Sequence, residues 1–135
     1  MKRVWCLTVL LVLSAAASAA PPSRALFDAI RQVESAGNDR ATGDGGRSKG
    51  PMQCQRVAWA EACRHGRVQW DYEQYVWSRR HSEQVFLWYT SAYGAVTAEE
   101  RARCWNVGPR WATRARRAGG LYWAKVRAEI ERQAP

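Results

Sequence analysis

The clearest periodic pattern in the chain is an apolar stripe near its start that ends in a glutamate. Four apolar residues recur at positions i, i+3, i+4 and i+7 of one helix face: Leu26, Ala29, Ile30 and Val33. Ser23 precedes this stripe and is typical of a helix N-cap. At about 100° per residue, Glu34 projects beside Phe27 and Ile30 on the edge of the stripe. The pattern predicts an amphipathic helix that carries an acid at its end.

Further helical patterns follow, separated by turn residues. They span residues 55–65, 70–80, 82–93 and 121–132, with one more helix beginning at Thr97 and stopping at Gly108-Pro109. Thr97 and Glu100 form a capping box at the start of that helix. Residues 36–50 are rich in glycine, asparagine and aspartate, which indicates a loop or a small β-hairpin. We therefore predict a mainly α, α+β fold of five or six short helices, with this Gly-rich segment after the first.

The N-terminus is typical of a signal peptide. Met1, Lys2 and Arg3 form a basic start, residues 4–13 are apolar except for Thr8, and Ala17-Ser18-Ala19 fits signal peptidase. A retained anchor is the alternative, but the run is shorter than the roughly 20 apolar residues that span a bilayer. We predict a signal peptide over residues 1–19 and one domain over residues 20–135, secreted or periplasmic and without a transmembrane anchor.

Charge and cysteines restrict the partners and the chemistry. The chain has 21 basic and 12 acidic residues, a net charge of +9. Such a protein is attracted to anionic surfaces, including cell walls, although a basic surface also simply aids solubility. Removal of the signal peptide leaves three cysteines, enough for one disulfide. With no Cys-x-x-Cys pair, we expect no metal and no cofactor, and we expect a monomer.

Two carboxylates are the candidate catalytic residues. Glu34 borders an apolar face, where partial desolvation raises the pKa of a carboxyl group, so that it can donate a proton to a leaving oxygen. Asp44 lies between Gly43 and Gly45 in the Gly-rich segment. It is either an ordinary turn residue or the partner that stabilises a cation, attacks it or activates water. The separation of the two carboxyl groups, which distinguishes retention from inversion, is not fixed by the sequence.

Two other readings of the Gly-rich segment fail. The glycines at positions 45 and 50 have P-loop spacing, but Pro51 and Met52 stand where lysine and serine or threonine are required. Ser48 lacks a recognisable histidine–aspartate pair, because His65 and His81 have no triad context.

The order of the motifs resembles the lysozyme-like superfamily, above all invertebrate-type (destabilase-like) lysozymes, their bacterial relatives and soluble lytic transglycosylases. The similar segments are Ala29–Ser35 with Glu34-Ser35, Gly43–Gln53, Ala58-Trp59, Ala102–Pro109 and Tyr122–Val126. The resemblance implies a lysozyme-like fold and cleavage of the β-1,4 bond between N-acetylmuramic acid and N-acetylglucosamine in peptidoglycan.

The resemblance also implies roles for individual residues. Glu34 falls on the family's general acid and Asp44 near its second acid. The substrate-binding residues would be Ser48, Gln53, Trp105 and Asn106. If any disulfide forms, we expect it between Cys54 and Cys104, because both cysteines interrupt motifs that border the cleft.

Three alternatives stay open. A lytic transglycosylase would use the substrate's own N-acetyl group and leave 1,6-anhydro ends, whereas hydrolysis through Asp44 leaves a reducing sugar. A non-catalytic cationic cell-wall or glycan-binding protein is the second, since Trp105 and Val107 depart from the family pattern. The third, a nucleic-acid binder, has only charge in its favour, because no groove-reading motif is present; we expect no specific nucleic acid as partner.

Overall fold

The computed structural model describes residues 21–113 and 116–135. The predicted signal peptide lies outside these described residues. They form six helices and a small antiparallel sheet, so the predicted mainly α fold is confirmed. The helices are α1 Arg24–Ser35, α2 Arg56–Gly66, α3 Tyr72–Tyr75, α4 Arg79–Ala92, α5 Ala98–Val107 and α6 Arg116–Gln133. None of these described helices combines the length and the apolar character needed to cross a membrane.

Side-chain caps fix where several helices begin. The Ser23 hydroxyl accepts a hydrogen bond from the Leu26 amide, and Thr97 with Glu100 forms the capping box, both as predicted. Caps at Asp71 and Ser78 were not predicted. They begin α3 and α4, so that a four-residue helix and the start of α4 replace the predicted helix over residues 70–80.

The Gly-rich segment forms a hairpin to which a third strand is added. The strands are β1 Thr42–Gly43, β2 Ser48–Lys49 and β3 Cys54–Gln55, in the order β1-β2-β3. A 3₁₀ turn, Asp44–Gly46, joins β1 to β2. Strand β3 was missed because Gln55 was assigned to the start of the following helix. Since side chains alternate along a strand, Ser48 and Lys49 point to opposite faces of the sheet.

The core consists of two clusters of buried side chains. One lies among α1, α4, α5 and α6 and contains Leu26, Ile30, Phe86 and Val126, each fully buried. The other lies among β3, α2, α3, α4 and α5 and includes Trp59. Trp59 is the one fully buried tryptophan among the described residues. Trp105 is half-buried and packs against both clusters, which joins them beside the candidate site.

Helix α6 is longer than predicted. Leu121 was expected to begin it, but the helix already starts at Arg116 and runs through Gly119 and Gly120. Glycine has a low helix propensity, so the two glycines hide this first part of the helix from a sequence pattern. The first of them, Gly119, faces α5, where a Cβ added to it would lie 3.4 Å from the Cγ atom of Arg103.

Candidate active site

Glu34 lies in the last turn of α1 and is held by a residue far away in the chain. The Tyr122 hydroxyl, on α6, donates a 2.6 Å hydrogen bond to Oε1 of Glu34. Burial is the largest influence on the carboxyl group and raises its pKa. The Tyr122 hydrogen bond lowers the pKa, and the charge of Asp44 raises it. The net result is a pKa raised to about 6, in the direction expected for an acid on the edge of an apolar stripe.

The end of α1 is fixed to the segment that leads into β3. The Ser35 hydroxyl lies 2.9 Å from the carbonyl oxygens of both Arg31 and Pro51. Ala36 then ends the helix in a left-handed conformation, with φ of 50°. Because Ser35 is buried and adjacent to Glu34, these contacts set the direction in which the acid leaves the helix.

Asp44 begins the 3₁₀ turn between β1 and β2. Its φ is 52°, a left-handed conformation that aspartate adopts more readily than most residues. The buried Ser48 hydroxyl donates a 2.6 Å hydrogen bond to Oδ2 of Asp44. The Gln55 amide, on β3, donates in turn to the Ser48 oxygen at 3.5 Å. Asp44 is thus exposed yet oriented by a chain of polar groups that crosses the sheet.

Gln53 lines the cleft, and its amide is used to hold the backbone. Its Nε2 donates to the carbonyl oxygens of Ala41 at 3.0 Å and Gly50 at 3.1 Å. A Cβ added at Gly43 would lie 2.5 Å from Oε1 of Gln53, so a side chain there would displace the Gln53 amide. Gln53 itself has a φ of 50°. This residue therefore fixes the hairpin that carries Asp44, in addition to its predicted place in the site.

Trp105 and Asn106 reach the cleft from the last turn of α5. The Trp105 indole donates a 3.0 Å hydrogen bond to the Met52 carbonyl oxygen, and its ring packs edge-on against Phe86 and Tyr89. Asn106 is exposed. The positive φ of this turn falls on Gly108, and Val107 completes the helix without a left-handed conformation. Val107 therefore imposes no backbone strain at this position.

The predicted site residues lie in one cleft of about 550 Å³. Its lining includes all six of them: Glu34, Asp44, Ser48, Gln53, Trp105 and Asn106. Polar residues of the sheet form one wall. The lining also includes the apolar residues Val57, Ala58 and Val107, of which Val57 is 70% exposed. The described residues that line the cleft include two acids and no lysine or arginine.

The cysteines do not form the disulfide that was considered. Cys54, Cys63 and Cys104 are all free and buried in the same core cluster, so no Cys54–Cys104 bond is present. Burial raises the pKa of each thiol, to about 12 for Cys104. The side chains pack as small apolar groups of the core. Among the described residues, no group of histidine, cysteine and acidic side chains is arranged to hold a metal ion.

Sequence reasoning missed the most direct partner of Glu34. Tyr122 lies in the segment Tyr122–Val126 that carries part of the resemblance, but the resemblance implies no role for it. The signal that could have identified it is a hydroxyl on the apolar face of α6, four residues before the buried Val126. Buried tyrosine hydroxyls usually find a hydrogen-bond partner. Tyr89 and Gln55, which also line the cleft, were missed as well.

Comparison with known proteins does not assign the chain to a family. A scan against models of protein families finds no match, and a search of curated protein sequences finds none either.

Proposed function

We propose that this protein is a secreted glycosidase that cleaves the β-1,4 bond between N-acetylmuramic acid and N-acetylglucosamine in peptidoglycan. The observation that carries the proposal is the raised pKa of Glu34 together with its position in the cleft. Its partly buried carboxyl group has a pKa raised to about 6 and opens into a cleft shared with Asp44. A carboxyl group that carries a proton, with a second carboxyl group in the same cleft, is the usual arrangement for cleaving a glycosidic bond.

Glu34 acts as the general acid. Oε1 accepts the Tyr122 hydrogen bond, so the transferable proton resides on Oε2. Transfer of that proton to the glycosidic oxygen makes the departing sugar a neutral alcohol, and the remaining ring develops positive charge. The pKa of about 6 keeps a substantial fraction of Glu34 protonated in weakly acidic solution.

Asp44 supports the developing cation. The carboxylate lies on the exposed turn, where water and the Ser48 hydroxyl stabilise its charge. From this turn it can stabilise the oxocarbenium ion or direct a water molecule to it. Its charge already influences Glu34 through the cleft. We therefore favour hydrolysis with a reducing-sugar product over intramolecular capture with a 1,6-anhydro product. Mass spectrometry of digested peptidoglycan distinguishes the two.

The remaining polar and apolar lining suits the hydroxyl and N-acetyl groups of a sugar chain. Hydroxyl and amide groups of a glycan need hydrogen-bond partners, which Gln55 and Asn106 offer at the cleft surface. Val57 and Ala58 supply apolar surface against which a methyl group of an N-acetyl substituent can pack. The open, polar cleft matches a polysaccharide better than a small apolar ligand.

Glu34→Gln tests the proposal. Loss of the general acid lowers turbidity clearing of purified peptidoglycan by about 100-fold or more, while sedimentation with the insoluble wall is retained. Glu131→Gln, on the exposed side of α6, is the matched control and keeps full activity. A wild-type protein that binds walls but releases no fragment from any peptidoglycan would contradict the proposal and identify a non-catalytic binding protein.

A further inference from the structure

On the face of the sheet opposite Ser48, cationic and aromatic side chains alternate. This cation–aromatic row runs in the order Arg40, Trp77, Lys49, Tyr72, Arg56. The Arg40 guanidinium carbon lies 5.5 Å from the centre of the Trp77 ring. Nζ of Lys49 lies 5.9 Å from the Trp77 ring and 5.7 Å from the Tyr72 ring. The Arg56 guanidinium carbon lies 4.6 Å from the Tyr72 ring. Each cation is thus held over an aromatic face.

The row has more cations than its acids neutralise. Glu73 accepts hydrogen bonds from both Lys49, at 2.9 Å, and Arg56. The Trp77 indole donates a 2.9 Å hydrogen bond to the Glu73 carbonyl oxygen, which fixes the ring beside these cations. Arg40 is exposed, and no carboxylate of the described residues pairs with it. The row therefore contains three cations and one carboxylate, and that carboxylate pairs with only two of them.

The neighbouring surface continues this excess of positive charge. Asp39, which precedes Arg40, pairs with Arg31 at 2.7 Å and with Arg79 at 2.8 Å. Two further cations thus share one further carboxylate. The cleft, by contrast, is lined by two acids and by no lysine or arginine of the described residues. The charge that would attract a polyanion lies on a different face from the proposed catalytic site.

We propose that the cation–aromatic row binds a flexible phosphodiester polymer of the bacterial wall, with a polyol backbone and no bases. Guanidinium and ammonium groups donate strong, charge-assisted hydrogen bonds to phosphate oxygens. Arginine and lysine side chains already fixed over aromatic rings lose less conformational freedom on binding. The choice of a wall polymer rests on the proposed function, since the glycan in the cleft and this polymer would belong to the same wall.

The same contacts disfavour other polyanions. Proteins bind single-stranded nucleic acid by stacking its bases on open aromatic faces. In this row, cations are placed over the Trp77 and Tyr72 rings instead. A membrane surface is favoured by apolar side chains that enter the acyl boundary. Within the described part of the chain, the exposed large apolar residues are Val57, Val96 and Leu121, and none of them belongs to the row.

Binding of poly(glycerol phosphate) without attached glycan tests the proposal by fluorescence anisotropy at low ionic strength. Arg40→Glu/Arg56→Glu is expected to raise the Kd by about tenfold or more and to reduce its dependence on salt. The matched control is Arg64→Glu/Lys125→Glu, with the same change in net charge away from the row. We expect less than about a threefold change for it. A milder variant, Arg40→Gln/Arg56→Gln, should give an intermediate loss and guards against misfolding of the first.

Each further result has a defined meaning. Equal losses in the row variant and the control would overturn the proposal, because overall charge would then explain binding. Tighter, row-dependent binding of single-stranded DNA or of anionic lipid vesicles would overturn it in favour of that partner. Cleavage of polymer-free peptidoglycan fragments is measured on the same variants and should not change. If the wild type binds the polymer but cleaves nothing, the glycosidase proposal fails and the row remains supported.

Discussion

Glu34 and Asp44 line one cleft from two sides that are built in different ways. We call the side formed by α1 and α6, which carries Glu34, the helical wall of the cleft, and the side formed by the β1–β2 hairpin, which carries Asp44, the sheet wall. Glu34 extends from a twelve-residue helix with a buried apolar face, and a tyrosine of another helix holds its carboxyl group. Asp44 lies on an exposed turn between two-residue strands, in a left-handed conformation, and is oriented by the Ser48 hydroxyl. The helical wall excludes water from its acid, whereas the sheet wall leaves its acid in contact with solvent.

The difference is the one that the proposed mechanism requires of its two carboxyl groups. Burial raises the pKa of Glu34 to about 6, which suits an acid that must carry a proton. Exposure and a hydroxyl donor suit a carboxylate that must stay charged beside a developing cation. Tyr122 and Asp44 act on Glu34 in opposite directions, since the first lowers its pKa and the second raises it. Variants that raise or lower the pKa of Glu34 therefore test the difference between the two sides of the cleft.

Asp44→Asn removes the charge from the sheet wall. We expect turnover of peptidoglycan to fall by about 10- to 100-fold, because the developing cation loses its counter-charge. The pKa of Glu34 should also fall, since Asp44 raises it, and the alkaline limit of activity should move to lower pH. A pH–rate profile with mass spectrometry of the products measures both effects. Unchanged turnover with 1,6-anhydro products would assign the reaction to substrate-assisted transglycosylation and reduce Asp44 to a turn residue.

Glu34→Gln should show how the burial of the Glu34 carboxyl group makes the free energy of unfolding depend on pH. The folded-state pKa of about 6 exceeds the ordinary value of 4.5, so the folded protein binds more protons between these values. The stability contributed by protonated Glu34 is complete below pH 4.5 and is lost as pH rises through about 6. A shift of this size corresponds to about 2 kcal/mol.

The free energy of unfolding of the wild type should therefore fall, from pH 4 to pH 7.5, by about 2 kcal/mol more than that of Glu34→Gln. Urea unfolding at several pH values measures this difference. Glu131→Gln serves as the control and should follow the wild type, because it changes an exposed pair on α6. Parallel pH profiles for the wild type and Glu34→Gln would show that Glu34 is not desolvated.

The helical wall was easier to predict from the sequence than the sheet wall. The stripe from Leu26 to Val33 and the caps at Ser23 and Thr97 are local patterns, and the structure confirms each helix that they predict. Strands of two residues carry no detectable alternation, and β3 exists only because it pairs with β2. Its register depends on contacts between distant segments, which a local pattern does not encode.

The same distinction applies to the site. Glu34 could be selected because its position relative to the apolar stripe is fixed by helix geometry alone. Its partner Tyr122 lies 88 residues later, and only the packing of α1 against α6 brings them together. The role of Gln53 in holding the hairpin was equally hidden, because it depends on a left-handed backbone and on the missing side chain of Gly43.

Tyr122→Phe tests whether the hydrogen bond from Tyr122 lowers the pKa of Glu34, and it should have the smallest effect of the three variants. Loss of the hydroxyl removes the contact that lowers the pKa of Glu34, so the pKa should rise and the alkaline limit of activity should move to higher pH. This direction is opposite to that expected for Asp44→Asn. At pH 5, where Glu34 is mostly protonated in both proteins, turnover should change by less than about threefold, because the acid keeps its proton without the tyrosine.

Tyr93→Phe is the matched control for this change. It also removes a tyrosine hydroxyl that donates to a carboxylate, but that carboxylate is Glu61, which does not line the cleft. The control should therefore leave the pH–rate profile unchanged. If both variants shift the profile equally, or if Tyr122→Phe moves the alkaline limit downward, the hydrogen bond does not tune Glu34. The distinction between the walls would then rest on burial alone.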